Sequence, residues 1–593
     1  MLVLAGPGSG KTSVLISHIQ QLITNGHARP EDILVVTFTR AAAKEMRERF
    51  LKNSGASSTK VTFGTLHGVF YAILRGTKKT LDKRLVAGEE KRRILYTLLE
   101  DLGQDRQQRK EQAELLEKEI SRVKKCGDLN SFEPESLEKE QFVQAFTAYK
   151  KMLAQGNGMD FDDLAPAVNK LLTEDETVRK YWQSRFSFVL VDEFQDIDME
   201  QYELLKILSA PQNNLFLVGD DDQSIYGFRG AAPEVMQKVP VDFPELSKVV
   251  LDVNYRCKSR IIDCAGRLIG NNRVRFAKKA SPFHREPGTV QGICAGDKKK
   301  EWELLSDMIR KDIKSGCRAE QIAVLTRTHA GMRGIQLALW KAGICCDKDA
   351  GMRKLSEHFI WKDMLAYLQL AAGDKSRRYY LEILNRPSRF LRREDFPEMT
   401  VNWQHCFDAL REDPMEEARL RRFQQEIQML QGMVPLAALY CIRYPIGYET
   451  YLTELAEKQH RDKEELLAVL DILQSLAAGK RSLQEYIRAV EAFVWPVSEE
   501  GIRVCTMHAS KGLEYDKVYI PDVNEGNIPW HEAKTEEAVE EERRLLYVGM
   551  TRAREKLCLL WIDDTKGSTI PPSRFLSEAG LIQSEPAYSK DKR

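Results

Sequence analysis

The sequence has 593 residues, 43% hydrophobic and 30% charged, with 89 Lys/Arg against 88 Asp/Glu and a net charge of +1. That length exceeds what one hydrophobic core serves, and no apolar run approaches the ~18 residues that cross a bilayer, so a membrane protein is excluded. A charge this balanced argues against a protein that coats nucleic acid wholesale and leaves a local basic groove as the alternative.

The first element is the apolar run Met1 to Ala5, which has no basic region before it and is too short for a secretion signal, so a cytoplasmic protein is expected. It reads as a buried parallel strand. Gly6, Gly8 and Gly10 follow, and then a helix with Val14, Leu15, His18 and Ile19 on one face. Glycines let backbone N–H groups curl round an anion, and a helix N-terminus adds partial positive charge. The spacing matches G-x-x-x-x-G-K-[ST], with Ala5 in the first glycine place. Ala5, Gly6, Pro7, Gly8, Ser9, Gly10, Lys11 and Thr12 are therefore the candidate nucleotide loop. In that pattern Lys11 reaches the β and γ phosphates and the Thr12 hydroxyl ligates Mg²⁺.

Apolar runs at ILVVTF, VTFG, FVLV and LFLVG alternate with helical patterns over residues 1–75 and 165–250 and predict a parallel, doubly wound sheet. Residues 76–164 are rich in Leu, Glu, Lys and Arg at helical spacing and read as a helical insertion. Overlapping their start, Arg75 to Lys125 holds fifteen Lys/Arg against ten Asp/Glu, which a solvated helix explains as well as nucleic-acid contact does. FVLV ends in Asp192 and Glu193, where α/β sheets place ligand chemistry. Asp192 is the candidate Mg²⁺ carboxylate, and Glu193 the candidate general base that polarises an attacking water. A kinase or a transport ATPase would fit these residues too.

From Leu251 a second alternating block, with VQGIC, IAVLT, IRVCT, KVYI and KLCLLW as strands, spans 251–355 and 496–578 around another helical stretch, 356–495. The expected fold class is α/β, with two doubly wound parallel-sheet lobes, each carrying a mainly helical insertion, and a disordered polar tail over 579–593. The eleven cysteines include no Cys-x-x-Cys, which predicts reduced thiols rather than a zinc or iron–sulfur site.

Six further stretches follow in order: ILVVTFTRAAAKEM, VTFGTLHGVFYAILR, LVGDDDQSIYGFRGA, LDVNYR, IRVCTMHASKGLEYDKVYI and EERRLLYVGMTRAR. With the glycine loop they resemble the motor motifs of the superfamily 1 helicases of the UvrD/Rep/PcrA type, over nearly the whole chain from Leu2 to the PPSRFL segment. The resemblance implies two RecA-like lobes and a motor that hydrolyses ATP with Mg²⁺, walks 3′ to 5′ on single-stranded DNA and separates duplex DNA, in repair, replication or recombination.

The resemblance also implies site roles. Gln195 and Gln223 sense the γ-phosphate or position water; Arg256 and Arg552 reach the γ-phosphate; Tyr255 stacks on adenine; Glu514 lies near the ribose. Phe38, His67, Tyr226, Phe228 and Arg229 face the strand, and Thr37, Thr65 and Thr506 bond phosphates. Core packing is the competing reading for each aromatic. Two positions depart from the family pattern. Phe228 stands where tryptophan is common, and Arg40-Ala41 replaces a frequent Asn-Lys pair. The family's adenine-reading glutamine lies in a segment before the first strand, so either the natural start lies upstream of Met1, which is the expectation, or the protein does without that segment. Repair or replication proteins are the expected partners, and a monomer or weak self-association the expected state. A translocase that strips proteins from single-stranded DNA and a nucleotide-binding scaffold are the alternative functions.

Overall fold

The computed structural model describes residues 1–77, 83–104, 109–129, 131–227, 230–231, 233–348, 355–410, 413–458, 463–563 and 570–583. Packing divides the chain into two compact units, Met1–Pro287 with Lys534–Thr551, and Gly288–Ala533 with Arg552–Arg593.

In the first unit six strands form one parallel sheet: β1 (Leu2–Ala5), β2 (Ile33–Thr37), β3 (Thr62–Thr65), β4 (Phe188–Val191), β5 (Leu215–Gly219) and β6 (Lys248–Leu251), in the order β3-β2-β4-β5-β1-β6. Successive side chains of a strand point to opposite faces, and here both faces are apolar. Leu2 and Leu4 of β1, Leu34 and Val36 of β2, and Leu215 and Leu217 of β5 enter one core cluster. The alternate residues Val3, Ala5, Ile33, Val35, Phe216 and Val218 enter a second. Helices cover both sides, which is why these strands read as unbroken apolar runs. On the second face lie α1 (Lys11–Thr24), which buries Leu15, Ile16, Ile19 and Leu22, and α2 (Arg40–Ser54). On the first lies α3 (Leu66–Arg75). The α/β class with parallel sheets is as expected.

Residues 86–153 build their own small core, with Leu95, Leu116, Phe142 and Tyr149 fully or nearly fully buried on helices 89–101, 109–126 and 139–155.

The second unit contains a five-stranded parallel sheet of β7 (Thr289–Ala295), β8 (Ile322–Thr326), β9 (Arg503–Thr506), β10 (Tyr515–Ile520) and β11 (Ala553–Ile562), ordered β7-β11-β10-β8-β9. One apolar cluster runs from Trp302 through the helices of 359–491 to Leu560, so this insertion shares its core with its sheet. Among the described residues no helix is long and apolar enough to cross a membrane.

The units differ from the sequence boundary at Leu251. Residues 251–287 and the helix Glu536–Met550 pack with the first unit. Polar contacts account for this: Asn272 Nδ2 donates to Glu540 O at 3.1 Å, Arg273 N–H to Glu540 Oε1 at 2.7 Å, and Arg543 Nη1 to Asn272 Oδ1 at 2.6 Å.

Candidate functional site

The glycine loop leaves the C-terminal end of β1 and enters α1. Gly8 and Gly10 have φ of +66° and +84°, a region that costs other residues strain. Gly8 is held to glycine twice over, because a Cβ there would lie 2.6 Å from Arg256 Cβ. The segment after β6 and the loop's own Ser9 brace it. Asn254 Nδ2 donates to Pro7 O at 2.7 Å, Tyr255 N–H to Gly8 O at 2.9 Å, and Ser9 Oγ to Gly6 O at 2.8 Å. Gly10 provides no side-chain cap for α1, so the first-turn N–H groups stay available to an anion, with Lys11 and Thr12 on that turn. Lys11 Nζ is buried, has no hydrogen-bond acceptor among the described residues, and lies 3.8 Å from Glu193 Oε2. A buried ammonium in that state suits a phosphate.

Asp192 and Glu193 directly follow β4. Asp192 is buried and its N–H donates to Val36 O at 2.9 Å. Glu193 sits at φ +52°, ψ +43°, a left-handed conformation rare for a residue with a side chain and concentrated at functional sites. The strain turns its carboxylate toward Lys11 and Gln195, whose Nε2 donates to it. Gln195 Oε1 in turn accepts from Asp220 N–H at 2.9 Å, and Asp220 Oδ2 accepts from Gln223 Nε2 at 2.5 Å. Lys11, Glu193, Gln195, Asp220 and Gln223 thus form one continuous polar chain, with both glutamines buried. Thr12 and Asp192 contribute a hydroxyl and a carboxylate, hard oxygen donors that fit magnesium.

Asp192 and Glu193 also line a cleft of about 730 Å³, together with Thr37, Phe38, Thr65 and His67. Phe38 stacks on Tyr226 with ring centroids 4.9 Å apart and planes 16° off parallel. Burial keeps His67 below the usual histidine range, hence neutral near pH 7. The hydroxyls expected to bond phosphates have local uses: Thr37 Oγ1 donates to Thr39 O at 3.0 Å, and Thr65 Oγ1 caps α3 by accepting from Gly68 N–H at 3.2 Å. Thr65 keeps its own proton to give. Arg40, one residue beyond the Thr39 cap of α2, lines the same cleft.

Two aromatics escaped the sequence reading. Phe161, edge-on to His67 at 5.6 Å, lines the cleft and is 39% exposed. Phe283 packs 4.9 Å from Tyr255, both more than half exposed beside the glycine loop. An exposed Phe within GMDFDD was the available signal for the first; Phe283, 28 residues beyond Tyr255, carried none. Arg256 joins the loop side, with N–H to Asn254 Oδ1 at 2.8 Å and Nη1 to Thr551 O at 3.3 Å.

Arg552, Glu514 and Thr506 belong to the second unit. Arg552 is buried and donates from Nη1 to Leu513 O at 3.2 Å; Glu514 pairs with Arg554; Thr506 ends β9, and its Oγ1 accepts from Ala509 N–H at 3.3 Å. Phe228 and Arg229 lie outside the described residues.

Known proteins match over this whole frame. Residues 1–244 match the UvrD/REP helicase N-terminal domain, and residues 249–432 and 443–564 the UvrD-like helicase C-terminal domain. The chain is 30% identical to the ATP-dependent DNA helicase Rep of Escherichia coli (strain K12), over all of this chain and 93% of that protein. It is 30% identical to DNA helicase II of Haemophilus influenzae, over 97% and 84% respectively, and 29% identical to DNA helicase II of Salmonella typhimurium, over 98% and 85%. With two domain matches that together span most of its length, the chain belongs to the UvrD/Rep helicase family.

Proposed function

We propose that this chain is an ATP-driven motor that moves 3′ to 5′ along single-stranded DNA and separates duplexes. The observation that carries the reading is adjacency: the strained Glu193 belongs to the polar chain from Gln223 to Lys11 and also lines the cleft that holds Phe38 and His67. A nucleotide event at one side of Glu193 is thereby one residue from a strand at the other.

The loop N–H groups and Lys11 bind the phosphates, and Thr12 and Asp192 would hold Mg²⁺, which would neutralise charge on the phosphates. Glu193 takes the proton of the attacking water, while Gln195 and Gln223 orient that water. Tyr255 supplies a face for the base. Arg256 and Arg552 stabilise the charge of the transferring phosphoryl group, and Glu514 receives the ribose. Phe38, His67, Tyr226, Phe228 and Arg229 grip bases by stacking, which tolerates any sequence and allows release, and Thr37, Thr65 and Thr506 bond the strand's phosphates. Two lobes, 1–75 with 165–250 and 251–355 with 496–578, carry insertions 76–164 and 356–495 and a tail from 579. The setting is cytoplasmic, on chromosomal DNA, with repair or replication proteins as partners and the chain a monomer or weakly self-associating.

A forked duplex with a single 3′ tail tests the proposal. Strand separation with ATP and Mg²⁺, absent on the 5′-tailed fork, is the expected result. Separation on neither fork contradicts unwinding, and separation on the 5′-tailed fork alone contradicts the polarity.

A further inference from the structure

Two features adjoin the glycine loop and its polar chain. The first is closed on itself: the buried carboxylates of Asp220, Asp221 and Asp222 are neutralised by Lys278, whose Nζ donates to Asp220 and Asp221, and by Arg275, which grips Asp222 with both ends of its fork at 2.9 and 2.7 Å. The second is open, and it is aromatic. After β6 the chain forms a short strand, Val253–Asn254, and Ser281–Pro282 pairs with it in parallel, Ser281 opposite Val253 and Pro282 opposite Asn254. The ladder runs one step further, since Phe283 N–H donates to Asn254 O at 2.9 Å. Phe283 therefore comes to lie beside Tyr255, with ring centroids 4.9 Å apart and planes inclined at 41°. His284 ties the pair together: its ring stands edge-on to Phe283 at 5.3 Å, and its Nε2 lies 3.1 Å from Tyr255 O.

Folding leaves both rings facing water: Tyr255 is 53% exposed and Phe283 59%. A single exposed aromatic is ordinary, but two held side by side by a backbone ladder form a surface prepared for a flat partner. What lies next to the pair fixes the partner. Tyr255 N–H donates to Gly8 O at 2.9 Å, so the rings are one hydrogen bond from the loop whose N–H groups suit phosphates. The planar group tethered to such phosphates is a nucleobase. We propose that Phe283 is a second wall of the base site: the base stacks on Tyr255 and packs against the inclined Phe283 ring. Recognition by these two rings is by area, so a purine, with the larger face, gains more from Phe283 than a pyrimidine does. This role rests on the reading of the glycine loop as a nucleotide site given above.

The test measures binding of ADP, UDP and inorganic pyrophosphate to the full chain by calorimetry with Mg²⁺, beside Phe283→Ala, Phe283→Leu and Phe283→Tyr. Pyrophosphate carries the phosphates without the base and so reports on the loop alone. Phe283→Ala is expected to weaken ADP binding by about three- to tenfold, the scale of one aromatic contact. It should weaken UDP binding by less, narrowing the preference for ADP over UDP. Pyrophosphate binding should stay within about twofold of wild type. Phe283→Leu keeps apolar bulk on the ladder and guards against a ladder that fails to form; without the ring it should lose ADP affinity as the alanine variant does. Phe283→Tyr keeps the ring and should bind ADP within about twofold of wild type. Wild-type ADP affinity in the alanine and leucine variants overturns the role of Phe283. So does an equal loss for pyrophosphate, because the residue would then act by shaping the loop, and an equal loss for UDP overturns recognition by ring area. A wild type that binds neither pyrophosphate nor ADP overturns the nucleotide reading of the loop and this role together.

Discussion

Asp220 in the first unit and Asp363 in the second are both fully buried carboxylates held by a cation, yet they serve the molecule differently. Asp363, on the helix Phe359–Ala371, receives Arg386 Nη1 at 2.6 Å and the Tyr448 hydroxyl at 2.5 Å inside an apolar cluster of Ile360, Tyr367 and Leu466. Burial pushes its carboxyl up to about 7 against the pull of Arg386. Its bonds stay within the insertion. Asp220 instead bonds Gln195 and Gln223, which lead to Glu193 and Lys11. Buried charge alone therefore does not mark a site; what marks it is a path of polar contacts to groups able to react.

That contrast can be broken at four points. The largest effect is expected at Glu193→Gln, which removes the proposed base while keeping the shape: DNA-stimulated ATP turnover should fall by about 10²–10⁴-fold with nucleotide binding retained. A fall of less than fivefold in steady-state kinetics would place the base elsewhere. Next, Arg386→Met leaves Asp363 buried with its cation gone, and should cost about 3–5 kcal/mol in urea denaturation of the second unit, with kcat per folded molecule unchanged. Loss of kcat in the folded fraction would erase the distinction between the two acids. Phe38→Ala should weaken single-stranded DNA binding by about 1–3 kcal/mol without altering ATP affinity; fluorescence titration of both ligands decides it. The smallest effect is at Thr65→Ala, which removes the α3 cap and should lower stability by about 1 kcal/mol. A DNA-binding loss larger than the stability loss would show that the Thr65 proton also serves a phosphate.

Acidity offers a further way to separate the two carboxylates. Asp363 titrates higher folded than unfolded, so the folded state holds its proton more tightly. Its contribution to stability is present below about pH 4 and is lost as pH rises toward 7. Asp363→Asn should flatten that part of the profile for the second unit; an unchanged profile would assign the slope to another group.

Much of the fold was legible because it is written in local pattern. β1, the glycine loop and α1 are consecutive, and β4 carries Asp192 and Glu193 at its end, so apolar runs and spacing located them. β6 was not recognised as a strand. It lies at the sheet edge with Lys248, Val249 and Val250 exposed, and so lacks the buried run that announced its neighbours. Lys278 stayed hidden for another reason. It meets Asp220 across 58 residues, and no periodicity encodes which lysine will neutralise which acid. The same holds for Glu541 and Gly227, 314 residues apart, and for the helix Glu536–Met550, which packs with the first unit although the sequence groups it with the second alternating block. Charge pairing over long separations is decided by packing, whereas the glycine loop is decided by its own backbone.

The central claim is that nucleotide and strand are read through one polar chain in the first unit. Steady-state ATP hydrolysis with and without single-stranded DNA, beside Lys11→Ala, tests it most directly. The account predicts strong stimulation by DNA in the wild type and none in the variant, which lacks the proposed phosphate contact. A wild-type rate indifferent to DNA, or a Lys11→Ala variant that responds to DNA as the wild type does, would contradict it.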